Sequence, residues 1–371
     1  MKAMGIIFSN VYDDNFGELT NKRTVASLPF GGRYRQIDFV LSNLSNSGIC
    51  QVGVITKYNY RSLMDHLGSC VEWDLNRKNE GLVLLPPFAS GNTGVYRGKL
   101  EALYSAVGFI NNPAYDYVVL SDSTVLCNID YRPIIREHIK SGADVTAVAI
   151  KAGDETGRQS LLMYADESGT VTDLEINAIP RAGAYDGLGM FVISRPLLAK
   201  VVEESYSKGY IHLEREFIQR RFNEGTLSIH LYGFDGVVLR NTDIAQYFAN
   251  SMKMLSDESI RRGLFDPARP IYTKVRDEYP SYYSETSELH DCLVADGCTL
   301  RGYAEHSVLF RSVTLDENAQ VRNSIVMQGT RIGRGAHLDC VILDKNVTVS
   351  DGMVLKGTPT HPVIIPKGAR V

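Results

Sequence analysis

The sequence has no long apolar run, no surplus of positive charge and no closely spaced pair of cysteines. It contains no stretch of about 18 apolar residues that could span a bilayer, and its start, MKAMGIIFSNVYDDN, turns acidic too soon for a secretory signal. The formal net charge of -4 argues against a general nucleic-acid binder. The six cysteines are scattered without a CxxC pair, which favours buried, reduced thiols. We therefore expect a soluble cytoplasmic protein with no membrane or nucleic-acid partner.

The length of 371 residues predicts two or three domains. Up to about residue 248, short apolar runs alternate with helical stretches. The expected strands are MGIIF, CQVGVIT, YDYVVLSD, DVTAVAI, GLGMFVIS and LSIHLYG, and the expected helices are IDFVLSNLSNSGI, KLEALYSAVGFI, YRPIIREHIKSG and RPLLAKVVEESYSKG. This alternation predicts a mostly parallel sheet with helices on both faces. In such a sheet, ligands bind beyond the carboxyl ends of the strands.

The last part of the chain has a different period. Small and turn-forming residues separate apolar positions that recur every six residues, with two steps of five: Leu309, Leu315, Val321, Met327, Ile332, Leu338, Leu343, Val349 and Leu355. A six-residue period is typical of a parallel β-helix. We predict an α/β domain at 1–248, a helical and extended linker at 249–286, and a β-helix at 287–371 whose faces favour oligomerisation.

The segment LPFGGRYRQIDFVLSNLSNSGI, residues 28–49, closely resembles the corresponding part of bacterial ADP-glucose pyrophosphorylases. Supporting similarities, which extend over essentially the whole chain, are VYRGKLEALYSAV (95–107), NIDYRPIIREHIKSGADVT (128–146) and VILDKNVTVSDG (341–352). This family of glucose-1-phosphate adenylyltransferases makes ADP-glucose from ATP and glucose 1-phosphate for glycogen. The resemblance implies a Rossmann-like nucleotidyltransferase domain followed by a left-handed β-helix of hexapeptide repeats.

The family's chemistry needs a loop that cradles the triphosphate, carboxylates that hold Mg²⁺, and a cation that holds the sugar phosphate. Active relatives have a loop of the form AGGxGxRLxxLT, whereas this chain has SNVYDDNFGELT at 9–20, with Asn15 at the arginine position. Side chains in place of glycine block the approach of phosphate to backbone N–H groups. Asp13 and Asp14 add negative charge at the expected phosphate site. The resemblance therefore implies a site that does not hold ATP in the usual pose.

Other positions that the family uses for catalysis are also changed. Val25 stands at the phosphate-binding lysine, Asn177 at the lysine that binds glucose 1-phosphate, and Arg240 at the second metal aspartate. The family's D-F-G-x-D segment is replaced by HLERE at 212–216. Asp122, after the strand VVLSD, remains as a vestige of the first metal carboxylate, although an aspartate that caps a turn is an equally good interpretation. We expect no catalytic residues, no metal and no cofactor.

A remnant of nucleotide binding is predicted at the segment that resembles the family's YRG motif. Arg97, Gly98 and Glu101 match nucleotide-proximal positions, which predicts residual binding of an adenine nucleotide without turnover. Lys99 stands where relatives have a threonine, and this weakens the prediction.

A second, anionic ligand is predicted at FGGRYRQID. Arg33 and Arg35 match basic positions that lie near an effector pocket in relatives, and two arginines beside a double glycine can bind a phosphorylated effector. An equally weighted alternative is that both are surface arginines that pair with Asp38 or with helix carboxylates.

The resemblance extends to subunits, found beside an active paralogue in some Gram-positive bacteria, that lack the glycine-rich loop. It implies a regulatory, catalytically silent subunit in a hetero-oligomer with a catalytic subunit, expected to be a tetramer. One alternative is an active enzyme with a rearranged loop, in which Asp122 and Asp243 share Mg²⁺. Another is an acyltransferase with His306 or His337 as base, and a third is a scaffold without ligands.

Overall fold

The computed structural model of the protein describes residues 2–87, 96–153 and 161–371. The described residues form an α/β domain followed by a left-handed parallel β-helix, which confirms the predicted fold class. Val95, at the start of the segment VYRGKLEALYSAV, lies outside them. None of the helices in these ranges is long and apolar enough to cross a membrane.

A mixed sheet, nine-stranded over the described residues, forms the centre of the first domain. Its strand Ala3–Phe8 pairs in parallel with Gln51–Ile55 on one side and with Tyr117–Asp122 on the other. All six predicted strands are present. The nine strands are Ala3–Phe8, Gln51–Ile55, Gly81–Leu85, Tyr117–Asp122, Val145–Lys151, Leu162–Ala165, Val171–Glu175, Tyr185–Ser194 and Ile229–Gly233. The carboxyl ends of the three central parallel strands therefore share one edge of the sheet.

Helices cover both faces of this sheet, as predicted. Met4, Ile6 and Phe8 pack into one buried cluster and Ile7 into another, because successive strand residues face opposite sides. The α-helices are Gln36–Asn46, Arg61–Leu67, Lys99–Ser105, Val107–Ile110, Tyr131–Ser141, Arg195–Lys208, Arg220–Asn223, Ile244–Ser256 and Glu258–Leu264. Three 3-10 helices (Asp13–Leu19, Val25–Ser27, Val71–Trp73), a π-helix (Leu213–Gln219) and two antiparallel strand pairs (Pro29–Phe30 with Tyr34–Arg35, Val125–Cys127 with Val238–Arg240) complete the described part of the domain.

The β-helix consists of three parallel sheets, each with five strands within the continuously described segment 161–371. The strands are Tyr282–Tyr283, Thr299–Leu300, Thr314–Leu315, Arg331–Ile332 and Thr348–Val349; Glu288–His290, Tyr303–Glu305, Gln320–Arg322, His337–Asp339 and Val354–Lys356; and Leu293–Val294, Val308–Leu309, Ile325–Val326, Val341–Leu343 and Val363–Ile365. The turns differ in length, since Val294 pairs with Leu309, 15 residues later, whereas Leu309 pairs with Val326 and Val326 with Leu343, each 17 residues later. The predicted inward position of Met327 is wrong, because Val326 fills the interior and Met327 is buried in the junction with the α/β domain.

The two domains share a buried apolar cluster and one buried ion pair. Phe16 and Tyr247 of the α/β domain belong to the same cluster as Met327 of the β-helix. The guanidinium of Arg23 lies 2.6 and 2.8 Å from the two carboxylate oxygens of Asp344, with both side chains almost fully buried.

The domain boundaries stay predictions. The helix Ile244–Ser256 passes through residue 248, and the strand Tyr282–Tyr283 precedes residue 287.

Two smaller expectations are resolved by the fold. Four of the six cysteines are buried, whereas Cys50 and Cys292 are partly exposed, so the expectation of buried thiols is wrong for these two. His306 sits at a corner of the β-helix with its Nδ1 2.7 Å from Asp291 Oδ2, and His337 is exposed at the start of the strand His337–Asp339. Both positions are those of turn and surface residues.

Candidate functional site

A cleft of about 530 Å³ opens at the carboxyl ends of the central strands, where the sheet topology predicts a ligand site. Residues of the loops after the strands Ala3–Phe8 and Tyr117–Asp122 line it, together with residues from the segment 212–215. Of the predicted site residues, the lining includes Asp122, Arg97, Gly98, Asn177 and Arg240. The cleft therefore brings together positions that are far apart in sequence.

The segment that replaces the glycine-rich loop is folded onto the protein. It forms the 3-10 helix Asp13–Leu19, whose Phe16 is buried with its ring edge against Tyr247, 6.4 Å between ring centroids. The carboxylate of Asp13 points inward, where it accepts hydrogen bonds from the backbone N–H of Val25 at 2.8 Å and from the Asn10 amide. Burial raises the pKa of Asp13 to about 6. The expectation that both aspartates face the phosphate site is thus wrong for Asp13, and Asp14 alone of the two lines the cleft.

The other changed catalytic positions have structural contacts of their own. Asn15 donates a hydrogen bond to the Thr242 carbonyl at 3.0 Å, and Val25 is fully buried. Asn177 lines the cleft in a left-handed backbone conformation, with φ of 54°. The guanidinium of Arg240, predicted to replace the family's second metal aspartate, lies 2.6 Å from Asp186 Oδ2 and forms an ion pair with it.

Asp122, the predicted vestige of the first metal carboxylate, contacts a lysine. The ammonium of Lys99 lies 2.8 Å from Asp122 Oδ2 and 2.6 Å from Glu214 Oε1. Burial alone would lower the pKa of Lys99, but the two carboxylates raise it above its ordinary value, so the amine stays protonated. Burial opposes ionisation of Glu214 as well, yet Lys99 brings the pKa of Glu214 below its usual range. This contact was not predicted from the sequence, since Lys99 and Glu214 are 115 residues apart.

These residues do not fit the Mg²⁺ that the family implies. Mg²⁺ binds carboxylate oxygens at about 2.0–2.1 Å, and the space between Asp122 and Glu214 is taken by an ammonium group. Gly189 packs closely behind this site, because a Cβ there would lie 2.5 Å from Asp122 Oδ2. Over the described ranges, no cluster of three or more His, Cys, Asp and Glu side chains is placed to hold a metal ion.

The predicted nucleotide-proximal residues lie at the rim of the cleft. Arg97 is mostly exposed, and its guanidinium lies 2.6 Å from Glu101 Oε1. Gly98 caps the helix Lys99–Ser105, where a Cβ would lie 2.4 Å from the Ile211 carbonyl oxygen. Asp243, the metal ligand of the active alternative, instead caps the helix Ile244–Ser256 by accepting the Gln246 N–H at 2.8 Å.

A second pocket lies at the junction between the domains and contains both predicted effector residues. Arg33 and Arg35 line it together with Pro29, Gly32, Tyr34, His66, Lys274, Arg276, Phe310, Arg311, Gln328 and Lys345. We call this the basic pocket. Six of these residues are lysine or arginine, and no acidic residue is among the described lining residues. The sequence did not predict Lys274, Arg276, Arg311 and Lys345, because they come from separate parts of the linker and the β-helix.

The cations of the basic pocket are crowded and poorly neutralised. Within the described part of the chain, none of the six lysine and arginine side chains is ion-paired with a carboxylate. Arg35 is buried and donates to the Ser62 carbonyl at 2.6 Å, while Asp38 accepts the backbone N–H of Arg35 and contacts His66 Nε2 at 2.5 Å. The alternative in which the guanidinium groups pair with Asp38 is therefore wrong. Burial, with nearby Arg35 and Arg23, lowers the pKa of Lys345 to about 6.

A nucleotide-type cleft at the edge of an α/β sheet, followed by a hexapeptide β-helix, defines a protein of the nucleotidyltransferase class. The profile of nucleotidyl transferases matches residues 14–208, and that of the GlmU-like C-terminal hexapeptide matches residues 279–360.

Similarity to individual proteins is more specific. The chain is 37% identical over 370 residues to the glycogen biosynthesis protein GlgD of Geobacillus stearothermophilus, which covers 99% of this chain and 96% of the relative. It is 32% identical over 367 residues to GlgD of Bacillus subtilis, covering 99% and 96%. It is 31% identical over 343 residues to the glucose-1-phosphate adenylyltransferase of Bacillus cytotoxicus, covering 91% and 90%. The chain belongs to the family of glucose-1-phosphate adenylyltransferases and GlgD proteins.

Proposed function

We propose that this chain is a regulatory, catalytically silent subunit of a hetero-oligomeric glucose-1-phosphate adenylyltransferase that acts in glycogen synthesis. The observation that carries the proposal is the folded segment at 9–20. Its Asp13 and Phe16 side chains are buried, and Asp13 accepts a hydrogen bond from the Val25 N–H, so the segment packs onto the protein and does not form an open loop around a phosphate. The role in glycogen synthesis is supported by the relatives named as glycogen biosynthesis proteins and adenylyltransferases.

The regulatory part of the proposal is supported by the basic pocket. Its cations come from both domains, since Arg33 and Arg35 belong to the α/β domain and Arg311 and Lys345 to the β-helix. A phosphorylated effector bound there would neutralise charges on both sides of the junction. It would thereby favour one arrangement of the two domains, and a catalytic subunit that contacts this chain would respond to that change.

A second candidate is that the chain is itself an active adenylyltransferase. The open cleft and the retained Asp122 favour it. Catalysis would require Lys99 to leave Asp122, and it would require another group to replace Asp243, which is engaged as a helix cap. The regulatory role therefore has more support from the geometry.

The test is to assay pyrophosphate release from ATP and glucose 1-phosphate with Mg²⁺, first with the chain alone and then with increasing amounts added to the catalytic subunit of the same organism. We expect no turnover alone, and a raised kcat or a lowered KM in the mixture. An Arg33→Ala, Arg311→Ala variant should still assemble but lose the response to an anionic effector. Turnover by the chain alone that Asp122→Ala abolishes would support the active enzyme, and no effect on the partner would support a scaffold.

A further inference from the structure

The cleft contains an internal cation at the position where this fold would hold a metal ion. Lys99 begins the helix Lys99–Ser105, Asp122 ends a central strand, and Glu214 lies in the helix Leu213–Gln219, so three separate elements meet at one ammonium group. We propose that Lys99 is a resident cation that replaces the divalent metal, and that its removal turns Asp122 and Glu214 into a divalent-cation site. This inference deepens the proposed function and rests on it for the origin of the cleft.

The geometry places the ammonium where a metal ion would lie. Its two carboxylate contacts measure 2.8 and 2.6 Å, which is about 0.5 to 0.8 Å longer than Mg²⁺–oxygen bonds. The two oxygens therefore need only a small inward movement to bind an ion directly. Carboxylates on two different elements, with water completing the coordination shell, are an ordinary ligand set for Mg²⁺ and Mn²⁺.

The surroundings hold the ammonium in place. Its nitrogen also lies 5.3 Å from the ring centroid of Phe8, within the range of a cation–π contact. The side chain of Lys99 is 14% exposed and that of Asp122 is 7% exposed, so little water competes for either group. The nearby Arg240 is engaged with Asp186 and is 2.6 Å from it. Lys99 is therefore the cation that directly contacts both carboxylates.

One oxygen of this site remains available. Asp122 Oδ1 is buried and has no hydrogen-bond partner among the described residues. A buried carboxylate oxygen without a partner is costly, and a metal ion bound to Asp122 could use it, whereas the ammonium contacts only Oδ2. Asp122 thus retains the capacity of a metal ligand, and Lys99 blocks its use.

The experiment measures Mn²⁺ binding by electron paramagnetic resonance on the full chain alone, without ATP, glucose 1-phosphate or partner. The wild type, Lys99→Thr and Lys99→Gln are compared, because the glutamine keeps most of the side-chain length and guards against loss of folding. Lys57→Ala is the matched control, since Lys57 is another cleft lysine and its ammonium lies 5.4 Å from the Tyr58 ring centroid. A Lys99→Thr, Asp122→Asn variant tests whether the new site uses Asp122.

We expect at least about tenfold tighter Mn²⁺ binding in Lys99→Thr than in the wild type, an unchanged value in Lys57→Ala, and loss of the gain in the double variant. Wild-type binding that is equally tight and is lost in Asp122→Asn would overturn the proposal. So would the absence of any gain in both folded Lys99 variants. Neither result depends on the partner subunit, so a chain without effect on its partner would count against the proposed function and leave this outcome intact.

Discussion

The cleft and the basic pocket treat charge in opposite ways. At the floor of the cleft, Lys99 forms ion pairs with Asp122 and Glu214. Arg240 forms an ion pair with Asp186. In the basic pocket, six lysine and arginine side chains converge, and within the described residues no carboxylate forms an ion pair with them. The first region supplies its own counter-ions, whereas the second leaves its charge to be neutralised from outside.

This difference separates a structural site from a ligand site. Converging cations repel one another and lose hydration, and such an arrangement is stabilised when an anion binds. Burial is the main cause that lowers the pKa of Arg35 to about 10 and that of Lys345 to about 6. Repulsion from neighbouring cations lowers both values further. In the cleft, Lys99 and Asp186 neutralise the charges that face them, so we expect an anion to stabilise the basic pocket more than the cleft.

An unpaired buried charge is costly, so the largest effect is expected where the buried Arg23–Asp344 pair is broken. Asp344→Ala leaves the Arg23 guanidinium buried at the domain junction without its carboxylate. We expect a loss of about 3–5 kcal/mol in the free energy of unfolding, measured by urea denaturation. Glu305→Ala is the control, because the Arg322–Glu305 pair is half exposed and its loss should change the midpoint little. Equal effects of the two variants would contradict the argument.

The next largest effect is expected in anion binding. Arg33→Ala removes an exposed cation of the basic pocket, so the fold should be kept. A charge-assisted hydrogen bond to an anion contributes about 1.5–3 kcal/mol, which predicts sulfate binding weaker by about tenfold to a hundredfold in calorimetry. Arg97→Ala, at the cleft, should leave sulfate binding unchanged. If Arg97→Ala had the larger effect, the anion site would lie in the cleft.

A smaller effect is expected from Lys345, measured as the change in sulfate affinity per unit of pH. With a pKa of about 6, it is mostly neutral at pH 7 and must take up a proton to bind an anion. The affinity for sulfate should therefore fall as the pH rises from 6.5 to 8.5, by at most about tenfold per unit. Burial lowers the pKa of His66, so it is neutral over this range. The other charged groups that act on Lys345 are Asp344 and the neighbouring Arg23, Arg35 and Arg276.

Sulfate itself does not titrate between pH 6.5 and 8.5, so the slope reports on the protein. Lys345→Met should bind sulfate with an affinity that is independent of pH. A slope that persists in this variant would assign the proton uptake to another group.

The smallest effect on stability is expected at the rim of the cleft. Arg97 and Glu101 form a pair one helical turn apart with Arg97 largely exposed, and such pairs contribute little. Arg97→Ala should leave the thermal midpoint unchanged within error. Its effect should appear only as weaker binding of a fluorescent adenine nucleotide. Unchanged nucleotide binding would remove the remaining argument for a nucleotide site.

The fold was predictable because its patterns are local and periodic. Six strands, the flanking helices and the six-residue period all follow from neighbours in sequence. The step of five between Val321 and Val326 was assigned one residue too late, because Met327 is also apolar and is buried against the α/β domain. The direction of Asp13 was missed because it depends on a hydrogen bond to Val25, 12 residues away.

The candidate site was predictable only where the resemblance gave positions. Changes at Asn15, Val25, Asn177 and Arg240 could be named, but their new contacts could not. Lys99 was identified as an unusual residue, yet its partner Glu214 is brought to it by the packing of a helix that lies 115 residues later. The basic pocket is similar, since Arg33 and Lys345 meet only once the two domains have docked.

The three-way contact at Lys99 also bears on how the chain moves. An enzyme that turns over must open and close around each substrate, and these transitions draw on weakly held elements. Here a helix start, a strand end and a second helix are joined through one ammonium group, so opening the cleft means separating charges in a place with little water. We therefore expect the three elements at the cleft to keep one arrangement before any partner arrives. A neighbouring subunit that docks against it would meet a surface already in its final form, and would lose little entropy in fitting to it.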